Sequence, residues 1–263
     1  HSACIENLNP GKLYYKICTE DKTTNSPVYT LDIKNPNEHT ASFIIFADSQ
    51  GMIKQDYETF LKAANTGLSK NKHDFIVHLG DFVDDGNNEE YWKWVLDSKF
   101  WKENVCIPLA GNHESHRNAL AVREGVENSV YSHFNVQNLP AQNTSKGIYY
   151  SFEYKNATFV VLNTNTSESG IDEIQYQYAL DVFKKSKSNW KILFTHKSPY
   201  SNGPHCKDPD VKNIGNQIKE LAYQGNVDLV FGGHDHVYVR TKILSYEKNA
   251  GCEEIIKSKE ETT

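Results

Sequence analysis

The sequence predicts an α/β fold in which a layered strand-and-helix unit follows a short all-β segment. Three observations predict it. From residue 41 onward, strand-sized apolar runs alternate with stretches of helical period. Residues 1–38 contain strand-like runs only. Five of the later strand-like runs end in a polar cluster rich in Asp, Asn and His, and in open α/β sheets the crevice beyond strand C-termini is where ligands sit.

The elements follow in order. Residues 13–17 (Leu-Tyr-Tyr-Lys-Ile) and 28–33 (Val-Tyr-Thr-Leu-Asp-Ile) are rich in aromatic and β-branched residues, and a polar turn at 19–26 separates them. Two strands cannot bury a core alone, so this pair packs on the rest or ends a β domain that continues upstream. Residues 43–47 form a short buried strand. Residues 54–69 form a helix, with Tyr57, Phe60, Leu61, Ala64 and Leu68 at helical spacing. A strand at 75–79, a helix at 89–100 and a strand at 105–110 come next. Residues 149–154 and 158–163 form a hairpin pair. A helix at 174–185, a strand at 190–195, a helix at 211–223 and a strand at 227–231 complete the pattern. Tyr91, Trp92 and Trp94 read as helix residues facing the core, and 253–263 as a frayed, charged tail.

Composition narrows the function. Of 263 residues, 24% are charged and 38% apolar, a balance that argues against disorder and against a membrane span. The net charge of −6 and the lack of a basic block disfavour nucleic-acid binding by charge. The chain starts at His1 rather than Met, so it is expected to be processed or partial. Five cysteines are too few for a disulfide scaffold, and an odd number leaves one without a partner in the chain. Cys106, in an apolar run, is the expected buried free thiol. Among the other four, Cys4–Cys18 with Cys206–Cys252 is one of three possible connectivities. Sequons at Asn143, Asn156 and Asn165 are about as many as chance supplies in so Asn-rich a chain.

The five clusters are Asp48-Ser-Gln50, Gly80-Asp81-Phe-Val-Asp84, Gly111-Asn112-His113-Glu114, Thr195-His196 and Gly232-Gly-His234-Asp-His236. Carboxylate, amide and imidazole are ligands of Fe, Zn and Mn, and the absence of Cys argues against a zinc ribbon or an iron–sulfur cluster. Singly, each has a plainer reading: Asp48 as a helix cap, Gly80-Asp81 as a turn, His196 as a core histidine. Their number and order favour one shared site.

In that order the motifs resemble the calcineurin-like metallophosphoesterase superfamily, and most closely its purple acid phosphatase branch. The run from Asn7 to Lys16 is similar to the closing strands of the fibronectin-type β domain found there. Thr195-His-Lys-Ser-Pro-Tyr200 and Gly233-His-Asp-His-Val-Tyr238 are also similar to that branch. The resemblance spans residues 5–242. It implies an α/β/β/α sandwich with two mixed sheets over residues 39–263, truncated at its C-terminal end, and a partial β domain over residues 1–38. It also implies two divalent or mixed-valence metal ions (Fe, Zn or Mn). Asp48, Asp81 and His236 would hold one; Asn112, His196 and His234 would hold the other, with Asp81 bridging. A metal-bound hydroxide would attack phosphorus in line, with His113 assisting the leaving group and His205 facing the phosphate-ester substrate.

Two positions depart from the family. Asp84 stands where purple members have a tyrosine, so no purple chromophore is expected. Gln50 stands where other members have a histidine. Either residue is a candidate ligand of the first metal, and Asp84 with Asp85 can equally form a solvated turn. Two alternatives to the phosphomonoesterase remain open: a metal-stabilised scaffold or binding protein without turnover, and a nucleotide or phospholipid phosphodiesterase. The branch is largely secreted or lysosomal, with a cytosolic location as the alternative. Oligomeric state is left open by the sequence.

Overall fold

The computed structural model describes residues 5–114, 130, 133, 134, 149–165, 170–245, 257 and 258. Strands β1 (Gly11–Tyr15) and β2 (Tyr29–Ile33) pair antiparallel, Gly11 opposite Ile33, and pair with no other described strand. The first sheet contains β3 (Phe43–Phe46), β4 (Phe75–His78) and β5 (Cys106–Pro108) in that order. It is parallel through these three strands.

Helix α1 (Lys54–Lys70) starts where Asp56 accepts the N–H groups of Met52 and Ile53. The single helix expected at 89–100 is instead two, α2 (Glu89–Leu96) and α3 (Lys99–Lys102). Asp97 closes the first, and Ser98, extended at φ −85° and ψ 152°, opens the second. Asp and Ser bond readily to nearby backbone and favour helix ends over interiors, which the apolar spacing alone does not report. These helices bury Tyr57, Trp92, Phe100 and Trp101 against Ile76 and Phe82 on one face of the first sheet. Trp92 is thus a core residue, as expected of this segment, with Tyr91 and Trp94 packed beside it. The β1–β2 hairpin rests on the same helices, because the Tyr15 hydroxyl donates to the Lys102 carbonyl at 2.6 Å.

The second sheet has the order β6 (Tyr150–Tyr154), β7 (Ala157–Val161), β8 (Trp190–Lys197) and β9 (Leu229–Gly233). Its hairpin β6–β7 is antiparallel and the remaining pairs are parallel. Helices α4 (Glu173–Lys185) and α5 (Pro209–Gly225) cover its outer face. Alternate strand residues divide the sheet's two faces, as a period of two requires. Val160, Leu162 and Leu193 pack under Phe183, Ile214 and Ile218, whereas Phe159, Val161 and Phe194 join Phe75, Val77 and Leu79 between the sheets. Phe43 meets Phe159 and Phe194 edge-on across that inner core, at 5.7 and 5.8 Å between ring centres. The layers are therefore α/β/β/α. At the far end, Lys155 in the β6–β7 turn donates to Asp74 at 2.9 Å and to the Thr40 carbonyl at 2.7 Å, tying the two sheets together. The five polar clusters all lie at the opposite end.

Cys18, Cys106 and Cys206 are free thiols, and Cys106 is half-buried, its acidity suppressed by burial. Cys4 and Cys252, the partners expected for two of them, lie outside the described residues, as does the sequon at Asn143. Asn165 is buried, and its amide donates to the Ala110 carbonyl at 3.0 Å, so that sequon is closed to a glycan in the fold. Among the described residues, no helix is long and apolar enough to cross a membrane.

Candidate metal centre

The turns beyond β3 and β4 are laced together before any side chain is considered. Asp48 N–H donates to the Gly80 carbonyl and Gln50 N–H to the Asp81 carbonyl, both at 3.1 Å. Asp48 and Asp81 both adopt φ of +55°, a conformation that Asp tolerates better than most residues. The glycines are needed for contact: a Cβ on Gly111 would lie 2.0 Å from Asp81 Oδ1, and one on Gly80 would lie 2.5 Å from the Gly111 nitrogen. Glu114, fully buried, completes the knot. Its carboxylate accepts four backbone N–H bonds, from Asp81, Phe82, Val83 and Gly111, at 2.7–3.2 Å. The sequence reading gave Glu114 no role. Its signal was a carboxylate placed after two chemistry-bearing residues and three after a glycine.

Two groups of ligand atoms form around Asp81. One joins Asp81, His196 and His234; the other joins Asp48, Asp81 and His236, and each spans less than 4.8 Å. Asn112 belongs with the first, its Oδ1 lying 3.0 Å from His196 Nε2. His196 is buried, and its Nδ1–H donates to the Leu79 carbonyl at 2.7 Å, so Nε2 is the atom turned to the site. Burial disfavours the charge on His196, but Asp81, 3.2 Å away, outweighs it and raises the pKa to about 9. Burial likewise opposes ionisation of Asp81, and His196 overcomes it, holding that carboxyl well below the usual range. His234 moves the other way, to about 3, through burial and then the charge of His196. Asp48 accepts the His234 N–H at 2.9 Å rather than capping α1, and burial raises its pKa.

This donor set fits a cation. Asp81 Oδ2, Asn112 Oδ1 and His234 Nδ1 all stand within 3.2 Å of His196 Nε2. In the neutral form of His196, whose remaining proton is committed to Leu79, four lone-pair-bearing atoms face one another, and a metal ion that takes the place of the second, Nε2 proton satisfies them together. The second group is more open, since the His236 side chain is 58% exposed. Gln50 borders it: its Nε2 lies 3.0 Å from His236 Nε2, and its buried Oε1 has no hydrogen-bond partner.

Asp84 falls in neither group. Its backbone carbonyl accepts from His113 Nδ1 at 2.6 Å, and its carboxylate stands 3.6 Å from the same nitrogen. That leaves His113 Nε2 facing the site, 3.9 Å from Asp81 Oδ2. His205 comes in on the loop between β8 and α5. Its ring centre lies 4.6 Å from that of His234, and its Nδ1 pairs with Asp208 at 2.9 Å. The fold thus gathers Asp48, Gln50, Asp81, Asn112, His113, His196, His205, His234 and His236 at one end, with Asp84 behind His113.

Comparison with known proteins agrees with this geometry. The chain is 26% identical to a purple acid phosphatase of Glycine max over 93% of its own length and 53% of that protein's. It is 27% identical to a probable purple acid phosphatase 20 of Arabidopsis thaliana, covering 94% of this chain and 57% of the relative. The chain therefore spans about half the length of these curated relatives. Among solved structures, purple acid phosphatase PPD1 from yellow lupin (Lupinus luteus) superimposes with a TM-score of 0.66 at 19% identity, over 86% of this chain and 44% of that one. PhoD superimposes with a TM-score of 0.60 at 14% identity, over 84% and 56%. At these identities the two structures speak for the fold alone. A family model described as calcineurin-like phosphoesterase matches residues 41–238, from just before β3 to just past His236, and the chain belongs to that family.

Proposed function

We propose that this chain carries the catalytic centre of a metal-dependent phosphate-ester hydrolase that acts on phosphomonoesters with two metal ions. The observation that carries the reading is Asp81, whose single buried carboxylate is common to both groups of ligand atoms. Asp48, Asp81 and His236 would hold one ion, with Gln50 beside them; Asp81, Asn112, His196 and His234 would hold the other. Metal ions so placed supply Lewis acidity to the phosphoryl oxygens and lower the pKa of water.

The chain's own residues supply the rest. The Asp84 carbonyl fixes the His113 proton on Nδ1, so Nε2 is the atom that gives a proton to the leaving oxygen. The proton given is a second one, carried on Nε2, while the Asp84 carboxylate stands 3.6 Å from Nδ1. Glu114 holds the backbone of Asp81 and Gly111 in register, keeping the shared carboxylate and Asn112 aimed at one point. His205, braced by Asp208, contributes a second imidazole beside His234, on the side where the ester's oxygens would lie. On the same reading, residues 1–38 belong to a β unit distinct from the hydrolase unit of residues 39–263.

One observation supports a variant of this reading. The His196 group is buried, whereas the His236 group is open and relies on a neutral amide at Gln50. The first ion would then be held more weakly than the second. Elemental mass spectrometry of protein purified without chelator, followed by 4-nitrophenyl phosphate hydrolysis, tests both. About two metals per chain with turnover supports the dinuclear hydrolase. A single tightly held metal supports the graded version. No metal after incubation with Zn, Mn or Fe overturns the reading.

A further inference from the structure

The turn beyond β9 carries a buried carboxyl that belongs to neither group of ligand atoms. Asp235 stands between His234 and His236 and is 3% exposed. The turn is tight there, because the Asp235 N–H donates back to the Gly233 carbonyl at 3.0 Å. Its side chain reaches to a segment thirty residues away in sequence, where Oδ1 accepts the His205 N–H at 2.7 Å. A buried carboxyl costs free energy unless it is hydrogen-bonded, so this bond is part of what lets Asp235 occupy the turn.

The loop between β8 and α5 is shaped to meet it. A Cβ on Gly203 would lie 2.6 Å from the Asp235 Cβ and 2.7 Å from its Oδ1, so the loop passes Asp235 in direct contact and glycine permits that approach. Within the loop, the Gly203 N–H donates to Ser201 Oγ at 2.9 Å, the Cys206 N–H to the Gly203 carbonyl at 3.3 Å and the Asp208 N–H to the His205 carbonyl at 3.0 Å. Those bonds fold the loop on itself. The Asp235 bond is different, because it ties the loop to the segment that holds His234 and His236. The His205 side chain is 47% exposed, and its Nδ1 pairs with Asp208 of the same loop, so the ring's place beside His234 depends on where the loop's backbone is held.

We propose that Asp235 is a positioning residue for His205: through the His205 N–H it fixes the distance between that imidazole and the metal centre. One turn then sets both halves of the site, the ligands His234 and His236 directly and the substrate-facing ring through Asp235. The proposal rests on the hydrolase reading, since His205 has an ester to face only if the centre binds one. Misplacing such a group by about 1 Å costs on the order of 10²-fold in rate.

Hydrolysis of 4-nitrophenyl phosphate at saturating metal tests it, in a double-mutant cycle of Asp235→Ala with His205→Ala. In the native background Asp235→Ala is expected to lower kcat/KM by about 10–100-fold. Most of that loss is expected in KM, because the ring it displaces meets the ester rather than donating the leaving-group proton. In the His205→Ala background the same change is expected to cost less than about threefold. Any loss that passes through His234 or His236 persists in both backgrounds, so the cycle separates the two routes. Asp235→Asn keeps an acceptor oxygen and the volume, and is expected to restore kcat/KM to within about threefold of native. Gly203→Ala displaces the loop from its own side, without a change in the ligand turn, and is expected to reproduce the rise in KM. Equal losses in both backgrounds overturn the proposal, as do an Asn variant no better than Ala and an Ala variant within about twofold of native. Gly203→Ala with native KM also overturns it. Native protein without turnover defeats the hydrolase reading before any variant is compared, so the two failures are distinguishable.

Discussion

Replacing Glu114 by Gln changes one atom's chemistry and almost no volume, so it isolates what the carboxylate does. In the native fold Oε2 accepts from Asp81 and Gly111, both at 2.8 Å, and Oε1 accepts from Phe82 at 2.7 Å and Val83 at 3.2 Å. An amide has one acceptor oxygen. Its NH₂ group, in either orientation, faces two backbone N–H donors and leaves them unpaired in a fully buried site. Burial and the charge of Asp81 push the Glu114 pKa up to about 8, while its backbone N–H bonds favour the ionised form. In that form each bond to a charged acceptor contributes about 1.5–3 kcal/mol, so the gross loss is about 3–6 kcal/mol. Removing a buried charge returns part of that, leaving an expected net loss of about 2–4 kcal/mol. Set against a typical total of about 5–15 kcal/mol, this is a large effect for an isosteric change. Urea denaturation at equilibrium, read by the fluorescence of buried Trp92 and Trp101, measures it. The two turns that Glu114 joins carry Asp81 and Asn112, so metal content is expected to fall as well. A variant within about 0.5 kcal/mol of the native protein, with full metal content, refutes the account of Glu114 as the knot of the site.

Three further outcomes are expected. His113→Ala lowers turnover by about 10²–10⁴-fold while metal content is unchanged; loss of metal would mean that the ring is structural instead. Asp81→Asn, which removes the shared charge, reduces metal content from about two ions per chain to below one by elemental analysis. Asp210 titrates below its ordinary 3.8: burial opposes this, but the hydrogen bond and charge of Lys197 at 2.6 Å prevail. A carboxyl depressed by folding stabilises fully above its unfolded pKa, and that stability is lost as pH falls through the folded value. Asp210→Asn therefore flattens the decline in stability below about pH 4 and lowers stability near neutrality, where it strands the nearly buried Lys197 ammonium; denaturation across pH 3–7 measures both.

Periodicity made most elements legible. The helix expected at 54–69 ends one residue later, and five apolar runs from 43 onward became the strands that carry the site. The break at Asp97–Ser98 was not legible, because side chains that favour helix ends leave the apolar spacing of the flanking turns unchanged. The candidate ligands were legible because each ends an apolar run, and parallel strands bring such ends together. What held them was not. Three of the four backbone N–H groups that Glu114 holds lie more than thirty residues distant, and Asp84 works through its own carbonyl; neither interaction has a sequence period. Asp84 also shows why residue type misleads: a carboxylate three residues beyond Asp81 looks like a ligand until the chain turns it toward His113.

Backbone conformation gives the site a cost that its hydrogen bonds only partly meet. Eight non-glycine residues among those described have positive φ, and four of them are Asp48, Asp81, His234 and His236. Left-handed backbone costs roughly 1–2 kcal/mol per residue, less for Asp. Such residues persist only where surrounding structure over-determines them. Here the constraints are mutual: His234 N–H is held by Asp48, whose own N–H is held by Gly80, whose neighbour Asp81 is held by Glu114. No hydrogen bond in that chain is local in sequence, and each fixes a turn that carries a candidate ligand. The turns beyond β3, β4 and β9 are therefore one mechanical unit. A substitution at any of them is expected to disturb both groups of ligand atoms together, even where the side chain replaced belongs to only one.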